Sequence, residues 1–316
     1  MTSVSRRACL LAAVVATCFG ACACERPASA ENSRAPGDGE KSGRLRKGGT
    51  DVTFLVTADT HFGVGVSDQD PESRRPVEDA QGIEKHQLDA IRAMNAIAEK
   101  PFPSYVGATV GRPLGVLVAG DLTDNGHPAE WRRFVQFFGR DGTDGLLRYP
   151  VFETWGNHDK NYGWYVRKQI EQRHGHVRYT LDWQDVHVVC LGEAPDDDDL
   201  AWLERDLRSV GTDLGIVLYM HFPLAGPFSD NNWFGNGTFR ARLGDLLTPY
   251  RVLGIFHGHY HASTRYRWRG IDVYNVGSPR HEYYSFAAVR VTDARMVVGS
   301  WDYKQNRWEW VHTKGI

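Results

Sequence analysis

FLVTADTH, Phe54 to His61, is the stretch whose reading decides the fold. An uncharged apolar run stops at an aspartate and a histidine two residues apart, the pattern of a buried strand with chemistry at its C-terminal end. Three further runs end the same way. GVLVAG leads into Asp121 and Asp124 of AGDLTD, GIVLYM into His221, and VLGIF into His257, His259 and His261 of HGHYH. A fifth cluster, Asn157, His158 and Asp159 of WGNHD, has no comparable run before it. Strand ends deliver such side chains to one edge of a sheet, so chemistry is expected at that edge.

The donors are carboxylates, imidazoles and one carboxamide. That set suits manganese, iron or zinc in an open site and excludes a structural zinc site built on cysteines. One tetrahedral ion would leave several of these groups buried and unpaired, whereas two ions sharing a bridging carboxylate would use them all. Paired ions roughly 3.5–4 Å apart lower the pKa of a bridging water and clamp an in-line displacement at phosphorus. Hydrolysis of a phosphate ester follows from that chemistry.

The ordered series D-x-H, GD-x-x-D, GNHD, a lone His and GH-x-H resembles the calcineurin-like metallophosphoesterase superfamily over roughly residues 52 to 300. The resemblance implies two divalent or trivalent ions, one held by Asp59, His61 and His261 and the other by Asn157, His221 and His259, with Asp121 bridging both. It implies hydrolysis of a phosphomonoester or phosphodiester by a metal-bridging hydroxide. His158 is the implied acid for the leaving oxygen, oriented by Asp124, while Asp159 ties down its loop. Purple acid phosphatases place a metal-bound tyrosine three residues after the bridging aspartate; this chain has Asp124 there. The GDLTDNG form is similar instead to the branch containing cyclic-nucleotide and glycerophosphodiester phosphodiesterases.

Plainer readings compete at each residue. Asp59 or Asp121 taken alone would be a turn or helix cap. His257, on the apolar run and just before Gly258, reads as a packed histidine outside the ligand set. HEYYS opens like a zincin motif at His281 and Glu282, but Ser285 stands where the second histidine is needed. No GxSxG elbow is present, and Cys190 in HVVCLG reads as an inert core thiol. A catalytically silent, metal-stabilised surface binding protein is the rival class; a pure binder needs neither His158 nor Asp124.

The formal charge is -2, which disfavours generic nucleic-acid binding and leaves a small phosphorylated substrate such as a lipid head group, nucleotide or inositol phosphate as the expected partner. Residues 1–24 contain four of the five cysteines, and Arg6 and Arg7 precede an apolar stretch too short for a confident membrane span. They read as an export signal, of twin-arginine or lipoprotein type, giving a periplasmic, extracellular or lipid-anchored protein. Residues 25–50 read as a flexible linker and 51–316 as one domain.

Helical spacing over IEKHQLDAIRAMNAIAEK predicts a helix ended by Pro101, and PAEWRRFVQFFGR, NYGWYVRKQIEQRHG and DDDDLAWLERDLRS predict three more. VRYTLDW and VHVVCLG predict a hairpin around Gln184 and Asp185, followed later by a strand-rich C-terminal section. Periodicity reads as mixed α and β; the resemblance implies a four-layer α/β/β/α sandwich of two mixed β-sheets flanked by helices. Two loops would frame the substrate: PLAGPFSDNNWFGNG, where Trp233 and Phe234 would stack on a leaving group, and SPRHEYYS, where Tyr283 and Tyr284 would stack and Arg280 or His281 would hold an additional phosphate. Asn157 would also contact substrate. Arg265, Arg267 and Arg269 are expected on one solvated strand face.

Overall fold

Burial on both faces explains the unbroken apolar runs. The computed structural model describes residues 47–63, 80–224, 237–280 and 284–316. In the first sheet, β1 (Asp51–Thr57), β2 (Val116–Ala119) and β3 (Val151–Thr154) run parallel. Three antiparallel strands extend it from the other side of β1: β10 (Ser285–Thr292), β11 (Arg295–Asp302) and β12 (Arg307–Gly315). The second sheet has the order β4 (Tyr179–Trp183), β5 (Val186–Cys190), β6 (Gly215–Tyr219), β7 (Val252–His257), β9 (Ile271–Val276) and β8 (Ser263–Trp268). Its central strands β5, β6, β7 and β9 are parallel, with an antiparallel strand at each edge.

Side-chain alternation sorts the strand residues into three apolar layers. Val52, Phe54 and Val56 of β1 join Val217, Tyr219, Phe256 and Tyr274 in the layer between the sheets. Leu55, pointing the other way, packs with Val116 and Val118 under α1 (Ala80–Asn95), α2 (Pro128–Phe138) and α3 (Tyr165–His174). On the far side, Ile216, Leu218 and Val273 meet Leu203 and Leu207 of α4 (Asp197–Val210) and Leu243 of α5 (Gly237–Leu247). The result is the expected sandwich of two mixed sheets between helical layers. The α4 N-terminus carries a capping box: Asp196 accepts from the Asp199 backbone, and Asp199 accepts in return.

The structure departs from the sequence reading in several places. α1 ends at Asn95, five residues before the expected stop, and the Asn95 side chain bonds Leu146 O and Arg148 N. WGNHD does follow a strand: β3 was hidden by Glu153, a buried carboxylate neutralised by Arg173 at 2.6 Å. α5 was not anticipated at all. Arg269 leaves the arginine face, sitting in the β8–β9 turn at φ 49° and pairing with Asp245, while Arg265 and Arg267 are exposed on β8. The Lys47 N–H donates to Asp185, so residues just ahead of β1 are bonded to the domain. Residues 1–46 lie outside the described residues, so the export signal and most of the linker stay as expectations. Among the described residues, no helix is long and apolar enough to cross a membrane.

Candidate metal centre

The ligand-bearing loops do not line one sheet edge, as the strand reading alone suggested. They meet where the C-terminal ends of parallel strands from both sheets converge. β1, β2 and β3 supply Asp59 with His61, Asp121, and Asn157 with His158; β6 and β7 supply His221, His259 and His261. The first two loops are zipped together by main-chain bonds from Asp59 N to Gly120 O (2.9 Å), His61 N to Asp121 O (2.9 Å) and Phe62 N to Leu122 O (3.0 Å). The β7 loop is pinned to the first when His259 N donates to both oxygens of Asp59, at 2.9 and 3.0 Å.

Folding this way costs backbone strain. Ten non-glycine residues among those described have positive φ, and five are Asp59, His61, Asp121, His259 and His261. L-residues held in the left-handed region cost on the order of 1 kcal/mol or more each, and concentrate where function over-determines the backbone. Room is just as tight. A Cβ on Gly156 would collide with Asp121 Oδ1, and one on Gly258 would fall 2.5 Å from Ala58 Cβ and 2.7 Å from Asp59 Oδ2.

Three groups of donor atoms, each within 4.8 Å, result among the described residues: Asp59, His61 and His261; Asp121, His221 and His259; and His61, Asp124 and His158, of which the first two are made of expected metal ligands. Asn157 joins the second, its Oδ1 lying 3.0 Å from both His221 Nε2 and His259 Nδ1. Asp121 Oδ2 faces both groups, 3.2 Å from His221 Nε2 and 3.7 Å from His61 Nε2. All seven sequence-derived metal candidates are therefore gathered in one place. His257 is buried elsewhere, bonded to Gly258 O (2.9 Å) and Tyr266 OH (3.0 Å).

The donor chemistry fits cations. His221 Nδ1 donates to Ala119 O at 2.9 Å, so Nε2 keeps its lone pair and aims it at the oxygens of Asn157 and Asp121. Acceptors pointed at one another need a positive charge among them. Without metal that charge is a proton: burial alone would depress His221, but Asp121 and Asp59 overcome it and raise it to about 9. Burial works to raise Asp121, yet the charge of His221 and its hydrogen bond hold the carboxyl well below the usual range. Asp59 is pushed up by burial, with the charge of Asp121 adding to the rise. Burial keeps His61 neutral, and burial with the charge of His221 lowers His259 to about 3. Neutral imidazoles beside carboxylates are what divalent ions require of their ligands.

Around this cluster, His158 is half-buried, with its N–H on Asp121 Oδ1 at 2.9 Å and its Nδ1 on Asp124 O at 2.8 Å. The contact to His158 is thus made by the main-chain carbonyl of Asp124. Its carboxylate instead binds Arg280 Nη1 at 2.5 Å and lies 3.7 Å from His61 Nδ1. Asp159 accepts from Leu122 N, Thr123 N, Thr123 Oγ1 and Gly156 N, joining the β2 and β3 loops. Trp233, Phe234, His281 and Tyr283 lie outside the described residues. Tyr284 packs against His86 and Tyr303, with Lys304 over its ring. Sequence reading missed the Ser278 hydroxyl, which donates to Asp59 O at 2.8 Å; a serine in a loop carries no signal of that contact.

Residues 52–263 match the family described as calcineurin-like phosphoesterase. The chain belongs to that family. A probable glycerophosphodiester phosphodiesterase of Arcobacter nitrofigilis is 26% identical over 190 residues, 54% of this chain and 65% of the relative. A probable cyclic nucleotide phosphodiesterase of Rhodococcus erythropolis is 28% identical over 197 residues, 58% of this chain and 63% of the relative. The match thus spans just under two thirds of each of these relatives. In fold, the chain is similar to a dimetal phosphatase of Danio rerio, with a TM-score of 0.51 at 14% identity, covering 79% of this chain and 95% of that one.

Proposed function

We propose that this calcineurin-like phosphoesterase hydrolyses a phosphodiester with two bound metal ions. The observation that carries the reading is Asp121 Oδ2, a single carboxylate oxygen facing two donor groups at once. Asp59, His61 and His261 would hold one ion and Asn157, His221 and His259 the other, with Asp121 shared. When bound, such a pair supplies Lewis acidity toward phosphoryl oxygens and lowers the pKa of water. Manganese, iron or zinc suits the donors.

The chain's own residues do the rest. With Nδ1 committed to the Asp124 carbonyl, His158 presents Nε2 to substrate, where it can hold a proton and pass it to the departing alkoxide. Asp159 keeps His158 and Asp121 in register by binding both of their loops. A diester is favoured over a monoester because both curated relatives above carry diesterase names. The N-terminal sequence supports export, with attachment to the outer side of the cytoplasmic membrane through a lipid on Cys22 as its finer form.

The test is hydrolysis of bis(p-nitrophenyl) phosphate and p-nitrophenyl phosphate by manganese-loaded and chelated protein, followed by glycerophosphodiesters and cyclic nucleotides. Faster, chelator-sensitive cleavage of the diester is expected. Equal rates with and without metal would end the proposal, and a monoester preference would overturn the diester assignment.

A further inference from the structure

Arg280 sits at the end of a chain of bonds that begins on a metal-ligand candidate. Ser278 Oγ donates to Asp59 O at 2.8 Å and accepts from the Arg280 backbone N–H at 3.1 Å. The guanidinium then donates from Nη1 to Asp124 Oδ1 at 2.5 Å. That same oxygen lies 3.7 Å from His61 Nδ1, and the Asp124 carbonyl holds His158. One short turn therefore sets a guanidinium on the carboxylate that neighbours His61, in the residue whose carbonyl holds the candidate acid.

Among the described residues, the guanidinium is bonded through Nη1. Nε and Nη2 make no protein hydrogen bond among the described residues, and the side chain is 21% exposed, so it opens to solvent at the rim of the site. Lys160, on the loop after β3, is by contrast engaged by Glu193 at 2.6 Å. A guanidinium offers five N–H donors in a planar fork matched to phosphoryl oxygens, and one tethered at both its backbone and one nitrogen loses little freedom on gaining a ligand. This placement also accounts for the Asp124 carboxylate turning away from His158: it is the tether.

We infer that Arg280 anchors a non-bridging oxygen of the phosphoryl group that reacts, with Asp124 as the residue that positions it. This rests on the phosphoesterase reading and departs from the sequence expectation, in which Arg280 would hold an additional phosphate. An arginine hydrogen-bonded to the carboxylate beside His61 is placed for the phosphoryl group at the donor cluster rather than for a remote one.

Binding of inorganic phosphate, measured by calorimetry on the manganese-loaded protein, tests the inference without turnover. Arg280→Ala should weaken phosphate binding about 10- to 100-fold, the size of a lost charge-assisted hydrogen bond, while metal content stays unchanged. If that variant loses metal or unfolds, Arg280→Gln carries the test, since it keeps an N–H for Asp124 but no charge; it should show the same loss. Unchanged phosphate affinity in a metal-loaded variant overturns the anchor. Cleavage of bis(p-nitrophenyl) phosphate by the wild type is read separately, so an active enzyme whose phosphate affinity ignores Arg280 refutes the anchor alone.

Discussion

Asp159 Oδ1 accepts both hydrogen bonds that Thr123 can donate to it, from the backbone N–H at 2.9 Å and from the hydroxyl at 2.6 Å. Its other oxygen takes the N–H groups of Leu122 (3.1 Å) and Gly156 (2.9 Å). One fully buried carboxylate thus joins the loop bearing Asp121 to the loop bearing Asn157 and His158. Asp159→Ala leaves three buried backbone donors without their partner, and should cost about 3 kcal/mol in chemical denaturation while weakening metal retention. A variant as stable as wild type would show the clasp to be dispensable.

His158 holds its Nδ1 on a carbonyl, meets Asp121 through its backbone N–H and sets its ring edge-on to that of His61 at 4.6 Å between centroids, while belonging to neither of the two expected ligand sets. Removing its ring should therefore spare the ions and stop the chemistry. His158→Ala is expected to lower kcat about 10²- to 10⁴-fold with metal content intact by elemental analysis. Full activity would remove His158 from the mechanism.

Stability of the metal-free protein should fall as pH rises from 6.5 to 9. His221 is raised in the folded state to about 9, so its contribution is fully present below the unfolded value near 6.5 and lost as pH passes through 9. Asp159, pushed up to about 7 first by burial and then by Asp121, acts in the same direction at the lower end of that window. His257 and His259, lowered chiefly by burial to about 4 and 3, are neutral in the fold while their unfolded forms still lose protons around pH 6.5, so they oppose the fall at the low edge of the window and add no slope once the unfolded histidines are neutral. Metal loading should flatten the profile by replacing the proton. Melting temperatures of chelated and loaded protein across this range decide it; a chelated protein that gains stability toward pH 9 contradicts the assignment.

Gly258 lies between Ala58 and Asp59, with no space for a methyl group. Gly258→Ala should displace the β7 loop from Asp59, reducing metal content and costing about 1–3 kcal/mol of stability. Wild-type metal content would mean the loop relaxes without consequence.

Cys190 is fully buried, and burial pushes its thiol up to about 11. It should resist alkylation at pH 8 in the folded protein and react on unfolding. Rapid labelling of native protein would contradict the packed strand in which it sits.

What could be read from residues alone was whatever rests on local pattern. β1, β2, β6 and β7 announced themselves because strands covered on both sides carry unbroken apolar runs, and the hairpin around Gln184 because a tight turn separates two strand-like segments. β3 escaped because Glu153 breaks its run, and its neutralising partner Arg173 lies on another element. The early end of α1 escaped as well; its last residue, Asn95, bonds to residues about fifty positions away, which helical spacing does not record.

The chain by itself determined the types of ligand, their order and their position just after strands, because these are properties of short segments. Only the tertiary structure decided that two sheets share the site, that Asp121 faces both donor groups, and that Asp124 spends its carboxylate on Arg280 and its carbonyl on His158. Such choices are contests between partners far apart in sequence, won by burial and distance, and no local spacing records the outcome.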